Sequence, residues 1–228
     1  MYISRASVDP QRLRYDEIAR MRLDNPYETH RTLWKLFDSE MHGGRPFLFR
    51  SESQGPLGRF ILVSEQAPNT TGPWYLQTKP YMPRLLAGEH LGFQVTVNPV
   101  VTRKDAQGRH QRHDVVMDLK KRLNWQGQEA AARLSEAELE HQAGCHWLMQ
   151  RCQDKGFAID PLQVRADAYR QYRIPKKNEK PLRFSTLDLT GLLTVTDPDR
   201  FRQTLFHGLG PAKGFGCGLL LVRRLGAQ

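Results

Sequence analysis

Apolar and polar positions alternate loosely over Met1 to Val8 and cleanly over Leu91 to Asn98, the period-two pattern of a half-buried strand. Further strands are predicted at Pro46 to Glu52, Arg59 to Glu65 and Trp74 to Thr78, within Phe157 to Ile174 and Leu182 to Val195, and at Gly218 to Leu225. The turn-forming run Gln54-Gly55-Pro56-Leu57-Gly58 separates the second strand from the third. Between the first two strands, Asp9 to Leu23 reads as a charged loop with a short helical piece. A helix then opens at Asn25-Pro26, with asparagine as N-cap, proline in the first helical position and Glu28 in the first turn. At about 100° per residue, Leu33, Leu36 and Phe37 form its apolar stripe, and Tyr27, His30 and Trp34 fall along one edge. The stop signal His42-Gly43-Gly44 is expected to end it. Helix is also expected over Gln128 to Lys155, restarting at Ser135, where Glu138 completes a capping box, and from Asp197-Pro198 to about Leu209. Arg103 to His113 reads as a polar loop.

The resulting order is β-α-β-β-β, with the second helix short or missing, followed by a fuller β-α-β-β-α-β. This is the ferredoxin-like split βαβ arrangement, shared with RNA-recognition modules, used twice. The expected class is therefore α+β with tandem ferredoxin-like domains, an imperfect N-terminal copy over residues 1–86 and a complete one over 87–228. The punctuated stretch Pro80 to Gly88 joins them, and the repeat is one of topology, without visible sequence identity.

Charge narrows the partner. Lysine and arginine number 34 against 24 acidic residues, a formal net charge of +10, which favours a polyanion. The basic residues cluster twice: Arg103, Lys104, Arg109, His110, Arg112 and His113, then Arg170, Arg173, Lys176, Lys177, Lys180 and Arg183 interleaved with Tyr169 and Tyr172. Pro175 and the polar residues after it suggest a hairpin tip in the second cluster. A solvated charge run explains either cluster alone. Together, with arginines to pair phosphates and tyrosines to stack on bases, they favour a nucleic-acid surface. Cys145, Cys152 and Cys217 are odd in number and form no C-x-x-C pair, so they read as buried thiols in a reducing compartment. The N-terminus lacks a signal-peptide profile and no apolar run has the roughly 18 residues needed to span a bilayer. A cytoplasmic protein without membrane contact is expected.

Two stretches carry candidate chemistry. His30, with an ordinary pKa near 6.5, is suited to proton transfer at neutral pH, although a partly buried histidine bonded to a carbonyl is the plainer alternative. The run Gly208 to Gly218 lets backbone approach a phosphate, with Lys213 adding charge. It is no dinucleotide fingerprint, because it leads from helix to strand, and no Walker loop, because Gly214 follows Lys213. A tight glycine turn on the sheet is the alternative. His110-x-x-His113, His141 and His146 converge on no metal set, Cys145 and Cys152 bring no further ligands, and no nucleophile elbow or cysteine-protease signature is present. An enzyme of this composition is expected to need neither metal, cofactor nor protein nucleophile. RNA cleavage by its own 2′-hydroxyl meets that condition.

The segment Asn25-Pro26-Tyr27-Glu28-Thr29-His30-Arg31-Thr32-Leu33, the start Met1-Tyr2-Ile3-Ser4, the strand Phe93 to Pro99 and the run Gly210 to Leu220 occur in the order and spacing of one family. Over most of its length the chain resembles the CasE family, the CRISPR repeat-processing endoribonuclease subunit of type I-E Cascade. The resemblance implies two ferredoxin-like domains that bind the repeat stem-loop. It implies metal-free cleavage at the 3′ base of the stem, giving 2′,3′-cyclic phosphate and 5′-hydroxyl ends, by a monomer that stays on the product beside the other Cascade subunits. It places His30 on the catalytic histidine and Tyr27 on an assisting tyrosine. Lys176 or Lys177 falls near a basic residue at the scissile phosphate, and Lys213, Gly210, Gly214 and Gly216 would line the cleft. Arg31, Arg103, Lys104, Arg109, Arg112, Arg170 and Arg173 complete the expected RNA surface. The rival reading is a non-catalytic RNA-binding subunit in which His30 is structural.

Overall fold

The computed structural model describes all residues except 38–44, 53–56, 71, 130–131, 177–178 and 227–228, and it leaves the side chains of 176 and 179 undescribed. The N-terminal sheet is antiparallel. Strand β1 (Tyr2–Val8) lies between β3 (Arg59–Ser64) and β4 (Trp74–Pro80), and β2 (Phe47–Ser51) pairs with the far side of β3, giving the order β2-β3-β1-β4. Helices α1 (Tyr15–Met21) and α2 (Pro26–Trp34) connect β1 to β2, and residues 65–70 and 72–73 between β3 and β4 contain no helix. This is the ferredoxin-like strand order with one helix missing, as the hydrophobic pattern predicts. The helices close one core, in which Ala6, Val8, Leu33, Phe47, Phe60, Leu62 and Trp74 are buried together.

The C-terminal sheet has the same plan. Strand β5 (His90–Val97) sits between β11 (Leu221–Arg224) and the long β10 (Glu179–Val195). The other edge of β10 pairs first with the short β8 (Phe157–Ala158) and then with β9 (Val164–Lys176). An insertion follows β5: the hairpin of β6 (Val100–Lys104) and β7 (His110–Asp114), then α3 (Val115–Arg122) and α4 (Glu136–Cys152). Helix α5 (Pro198–His207) leads to the last strand through the glycine-rich run. Trp147, Leu148, Phe157, Leu187, Leu193 and Phe201 fill this second core.

Several expected boundaries move. Helix α2 ends at Trp34, and the stop signal His42-Gly43-Gly44 lies outside the described residues. The supposed loop at Arg103 to His113 is a paired hairpin, because Asp105 accepts backbone bonds from Gln107 and Arg109 and closes a tight turn. Val115–Arg122, for which no helix is expected, is capped by Asp114 through the Met117 N–H. Helix α4 starts only at the Ser135–Glu138 capping box and ends at Cys152, followed by a single tighter turn. The strand expected over Phe157 to Ile174 is interrupted by a turn at Pro161–Gln163 that Asp160 caps. Gly208 ends α5 just before Leu209, and β11 begins only at Leu221. No helix among the described residues is long and apolar enough to cross a membrane.

The sheets meet across a third apolar cluster. Leu48 and Val63 of the first sheet pack on Leu219, with Tyr81, Phe206 and Leu221 around them. Arg50 of β2, 14% exposed along its side chain, donates to Thr96 Oγ1 at 2.6 Å and lies 3.8 Å from the Asp188 carboxylate, while Thr96 also donates to Asp188. A partly buried cation is thus tied to two strands of the other sheet, which fixes how the two sheets sit against each other.

Candidate active site and nucleic-acid interface

Helix α2 positions His30 through its cap. The Asn25 side chain accepts from the Tyr27 and Glu28 N–H groups, and Thr29 is buried with its hydroxyl donating to the Leu23 carbonyl at 2.9 Å. Leu33 is anchored in the core, Trp34 packs partly against it, and His30 and Tyr27 follow along the same edge with increasing exposure. The His30 ring is half-buried, meets the edge of Trp34 at 5.4 Å and stacks on Phe47 at 6.1 Å. Tyr27 is 43% exposed, and the Arg31 guanidinium, paired with Glu28 at 3.3 Å, lies 5.9 Å above its ring.

The glycine-rich run crosses from α5 and lies directly on this helix. Gly208, Gly210, Gly216 and Gly218 all have positive φ, which suits glycine, and Lys213–Phe215 form one helical turn between them. The turn presents Gly214 to His30: a methyl group there would lie 3.7 Å from the ring Cε1 and 3.8 Å from Nδ1. The His30 Nδ1 is buried without a hydrogen-bond partner among the described residues. Protonating the ring would leave an N–H with no acceptor, and burial together with the positive charge of Arg45 lowers the His30 pKa below its ordinary value. At neutral pH the ring is accordingly neutral. Burial also lowers the Lys213 pKa, aided by Arg45 and Lys155. His30, Arg45 and Lys213 therefore share one electropositive site built from three distant parts of the chain.

The basic hairpin joins the site through a ladder of rings. Tyr172 and Phe184, opposite one another on β9 and β10, stack at 4.8 Å, and Phe184 stacks on Phe215 of the glycine-rich run at 4.8 Å. A cleft of about 430 Å³ opens beside this ladder, with Arg50, Thr96, Arg170, Tyr172, Asp188 and Gly216 on its walls. The two-residue period of a strand splits the basic cluster. Arg170 lies opposite Thr186 on the Tyr172 face, whereas Arg173 lies opposite Arg183 on the other face. Lys176 ends β9, its side chain undescribed, and Lys177 lies outside the described residues.

The first basic cluster sits elsewhere. Arg103 is held by Asp118 of α3 at 2.8 Å and Arg109 by Asp105 at 2.9 Å, so these two carry internal ion pairs, while Lys104 and Arg112 are exposed on the β6–β7 hairpin. Gly210 and Gly216 serve close packing: methyl groups there would lie 3.1 Å from Trp147 and 3.2 Å from Phe49. Sequence reasoning missed Arg45, Arg50, Asp188 and the ring ladder. Arg45 sits just before a strand with no motif around it, and the rings meet only once the sheets are assembled.

Two ferredoxin-like sheets, joined by a glycine-rich crossover that covers a half-buried histidine and flanked by an arginine-bearing hairpin, define a tandem ferredoxin-like protein with a cleft walled by both arginines and carboxylates, Asp24 and Glu52 among them. Over residues 1–224 the chain matches the family described as CRISPR associated protein, and it belongs to that family as a CasE member. It is 29% identical over 221 residues to the CRISPR-associated endoribonuclease Cse3 of Thermus thermophilus, covering 90% of this chain and 92% of the relative. It is 28% identical over 213 residues to the CRISPR system Cascade subunit CasE of Escherichia coli, covering 91% and 96%. A solved structure of CRISPR endoribonuclease Cse3 bound to 19 nt RNA superposes with a TM-score of 0.66 at 25% identity, covering 97% of this chain and 98% of that one.

Proposed function

We propose that this protein is a CRISPR RNA-processing endoribonuclease whose two lobes, residues 1–86 and 87–228, hold a repeat stem-loop across the glycine-rich crossover. The observation that carries the reading is the placement of His30 against Gly214, with Arg45, whose charge acts on both His30 and Lys213, beside it. A neutral imidazole is ready to accept a proton, and the surrounding cations suit a phosphate. The names of the two relatives, an endoribonuclease and a Cascade subunit, support the same reading.

In the reaction, the 2′-hydroxyl oxygen bonds to the adjacent phosphorus as the bond from phosphorus to the 5′-oxygen breaks. His30 takes the 2′ proton, and a water molecule in the site donates the proton that the leaving 5′-oxygen takes up. The products are a 2′,3′-cyclic phosphate and a 5′-hydroxyl, and no metal or cofactor is consumed. Tyr27, exposed one helical turn before His30, positions the phosphate region. Arg170 and Tyr172 on the cleft face, with Lys213, hold the strand, and Arg173 meets phosphates from the opposite face of the hairpin. Shape and backbone charge dominate recognition of the A-form stem, since its base edges lie in a deep narrow groove. The product remains bound, and the protein acts as one copy within the Cascade assembly in the cytoplasm.

The test is cleavage of a repeat hairpin in excess chelator, with the ends identified. His30→Ala should retain hairpin affinity and lose about 10²–10⁴-fold in single-turnover rate. Normal cutting by His30→Ala removes the assignment and leaves an RNA-binding subunit with a structural histidine.

A further inference from the structure

Arg45 and His30 converge on one point. A methyl group on Gly214 would have His30 Cε1 at 3.7 Å and the Arg45 guanidinium carbon at 3.9 Å, so ring and guanidinium border the space that glycine leaves open. Arg45 is exposed and therefore reachable from solvent. Its charge is felt by both His30 and Lys213, and Lys155 adds to the field at Lys213. Among the described residues no carboxylate forms an ion pair with Arg45 or Lys213. By contrast, Arg103, Arg109, Arg165, Arg200 and Arg224 each have an acidic partner. Cations gathered without a counter-charge repel one another, and an anion placed among them relieves that cost.

We propose that Arg45 is a catalytic residue: its guanidinium takes a non-bridging oxygen of the scissile phosphate in the seat that Gly214 leaves open beside His30. This rests on the reading of His30 above. The planar fork of arginine matches two phosphate oxygens, and a charge held in place stabilises the pentavalent arrangement, in which negative charge on those oxygens grows. Burial first, and then the same charge, disfavour the protonated imidazole before the substrate arrives. Among the described residues, Arg45 borders the space beside the ring, Lys213 lies in the crossover turn packed on it, and Tyr27, Glu28 and Arg31 share its helix. Of these, Arg45 is the one that acts on the ring's proton affinity.

The experiment uses the full-length protein, a repeat-hairpin RNA for cleavage, and the same hairpin with 2′-deoxyribose through its 3′ stem base for affinity. Arg45→Gln should lower the single-turnover rate by about 10²–10³-fold, the usual loss when one donor to a developing oxyanion is removed. The loss should be far greater in rate than in affinity for the 2′-deoxy hairpin, and the acidic limb of the pH–rate profile should move to higher pH. Arg45→Lys, which keeps the charge and loses the fork, should recover part of the rate and restore the limb. An Arg45→Gln protein that cuts at the unchanged rate, loses as much in affinity as in rate, or keeps the original limb overturns the proposal. His30→Ala measured alongside separates the two readings. If His30→Ala is inactive and Arg45→Gln is unaffected, only the role of Arg45 falls; if His30→Ala cuts normally, the proposed nuclease site falls with it.

Discussion

Arg173 and Arg183 lie directly opposite one another on β9 and β10, two like charges on one face of an antiparallel ladder. Such a pair disfavours the hairpin by a few tenths of a kcal/mol to about 1 kcal/mol, which a bound polyanion reverses. Arg173→Ala is therefore expected to leave stability unchanged or slightly raised while weakening hairpin RNA binding. The slope of log affinity against log salt should become shallower by about 1. Fluorescence anisotropy titrations at several salt concentrations, beside a thermal melt, check both signs.

The glycines of the crossover divide by what a side chain would meet. At Gly218, φ is +91° and a methyl would lie 2.5 Å from the Leu209 carbonyl oxygen, a backbone atom that cannot swing aside. Gly218→Ala should destabilise by about 2 kcal/mol or more, from strain and overlap together. At Gly214 the contacts are ordinary and φ is not in the left-handed region, so Gly214→Ala should fold normally. Its methyl would nonetheless occupy the space beside the His30 ring and should lower cleavage at least tenfold, as a misplacement of about 1 Å does in a positioned reaction. Urea unfolding and single-turnover cleavage of the two variants should give opposite results: one loses stability, the other rate.

Arg50 links the sheets through Thr96 and Asp188. Arg50→Met removes the charge and keeps much of the stem, leaving the Thr96–Asp188 pair without its cation. Asp188 is about one-third exposed, so solvent screens part of the loss, and about 1–3 kcal/mol is expected. A double-mutant cycle with Asp188→Asn measures the coupling, and additive effects would show that Arg50 acts only through packing.

The pH dependence follows from the depressed His30 pKa. Because the unfolded chain binds the proton more readily, His30 has no linkage cost above its ordinary value near 6.5. Stability falls as pH drops from there through the lower folded-state value. In His30→Gln that component should be absent, and the difference should appear in melts collected between pH 7 and pH 5. With His30 as base, cleavage should likewise keep its plateau to below pH 6.5 before declining.

Cys217 is buried, and desolvation with the nearby Asp188 charge raises its thiol to about 12, against the opposing effect of Arg50. Cys145 and Cys152 are also raised by burial. All of them should resist alkylation in the native protein and react fully once it is unfolded, as mass spectrometry after a timed iodoacetamide pulse would report.

What could be read along the chain was what depends on near neighbours. Asn25-Pro26, Ser135 with Glu138, and Asp197-Pro198 mark helix starts because capping is settled within about four residues, and each lies where expected. Alternation located the strands that have one face on a core, β1 and β5 above all. The hairpin at 100–114 escaped because, beyond the half-buried Val100 and Val101, β6 and β7 are polar and almost wholly exposed on both faces, which erases that signal. Helix α3 escaped for a related reason: its short apolar face, Val116 and Leu119, covers α4 across the chain and makes no long repeat.

The sequence by itself determined the split βαβ order of the two sheets, the positive charge, the glycine-rich crossover and the presentation of His30 on the edge of a capped helix. Only the tertiary structure decided that Gly214 and Arg45 stand against that ring, that Phe215 continues the stack of Tyr172 and Phe184, and that Arg170 and Arg173 face opposite ways. The reason is physical. Caps, turns and strand periodicity arise from backbone bonding between close neighbours, whereas the site is made where two separately closed sheets dock, through contacts that no local preference encodes.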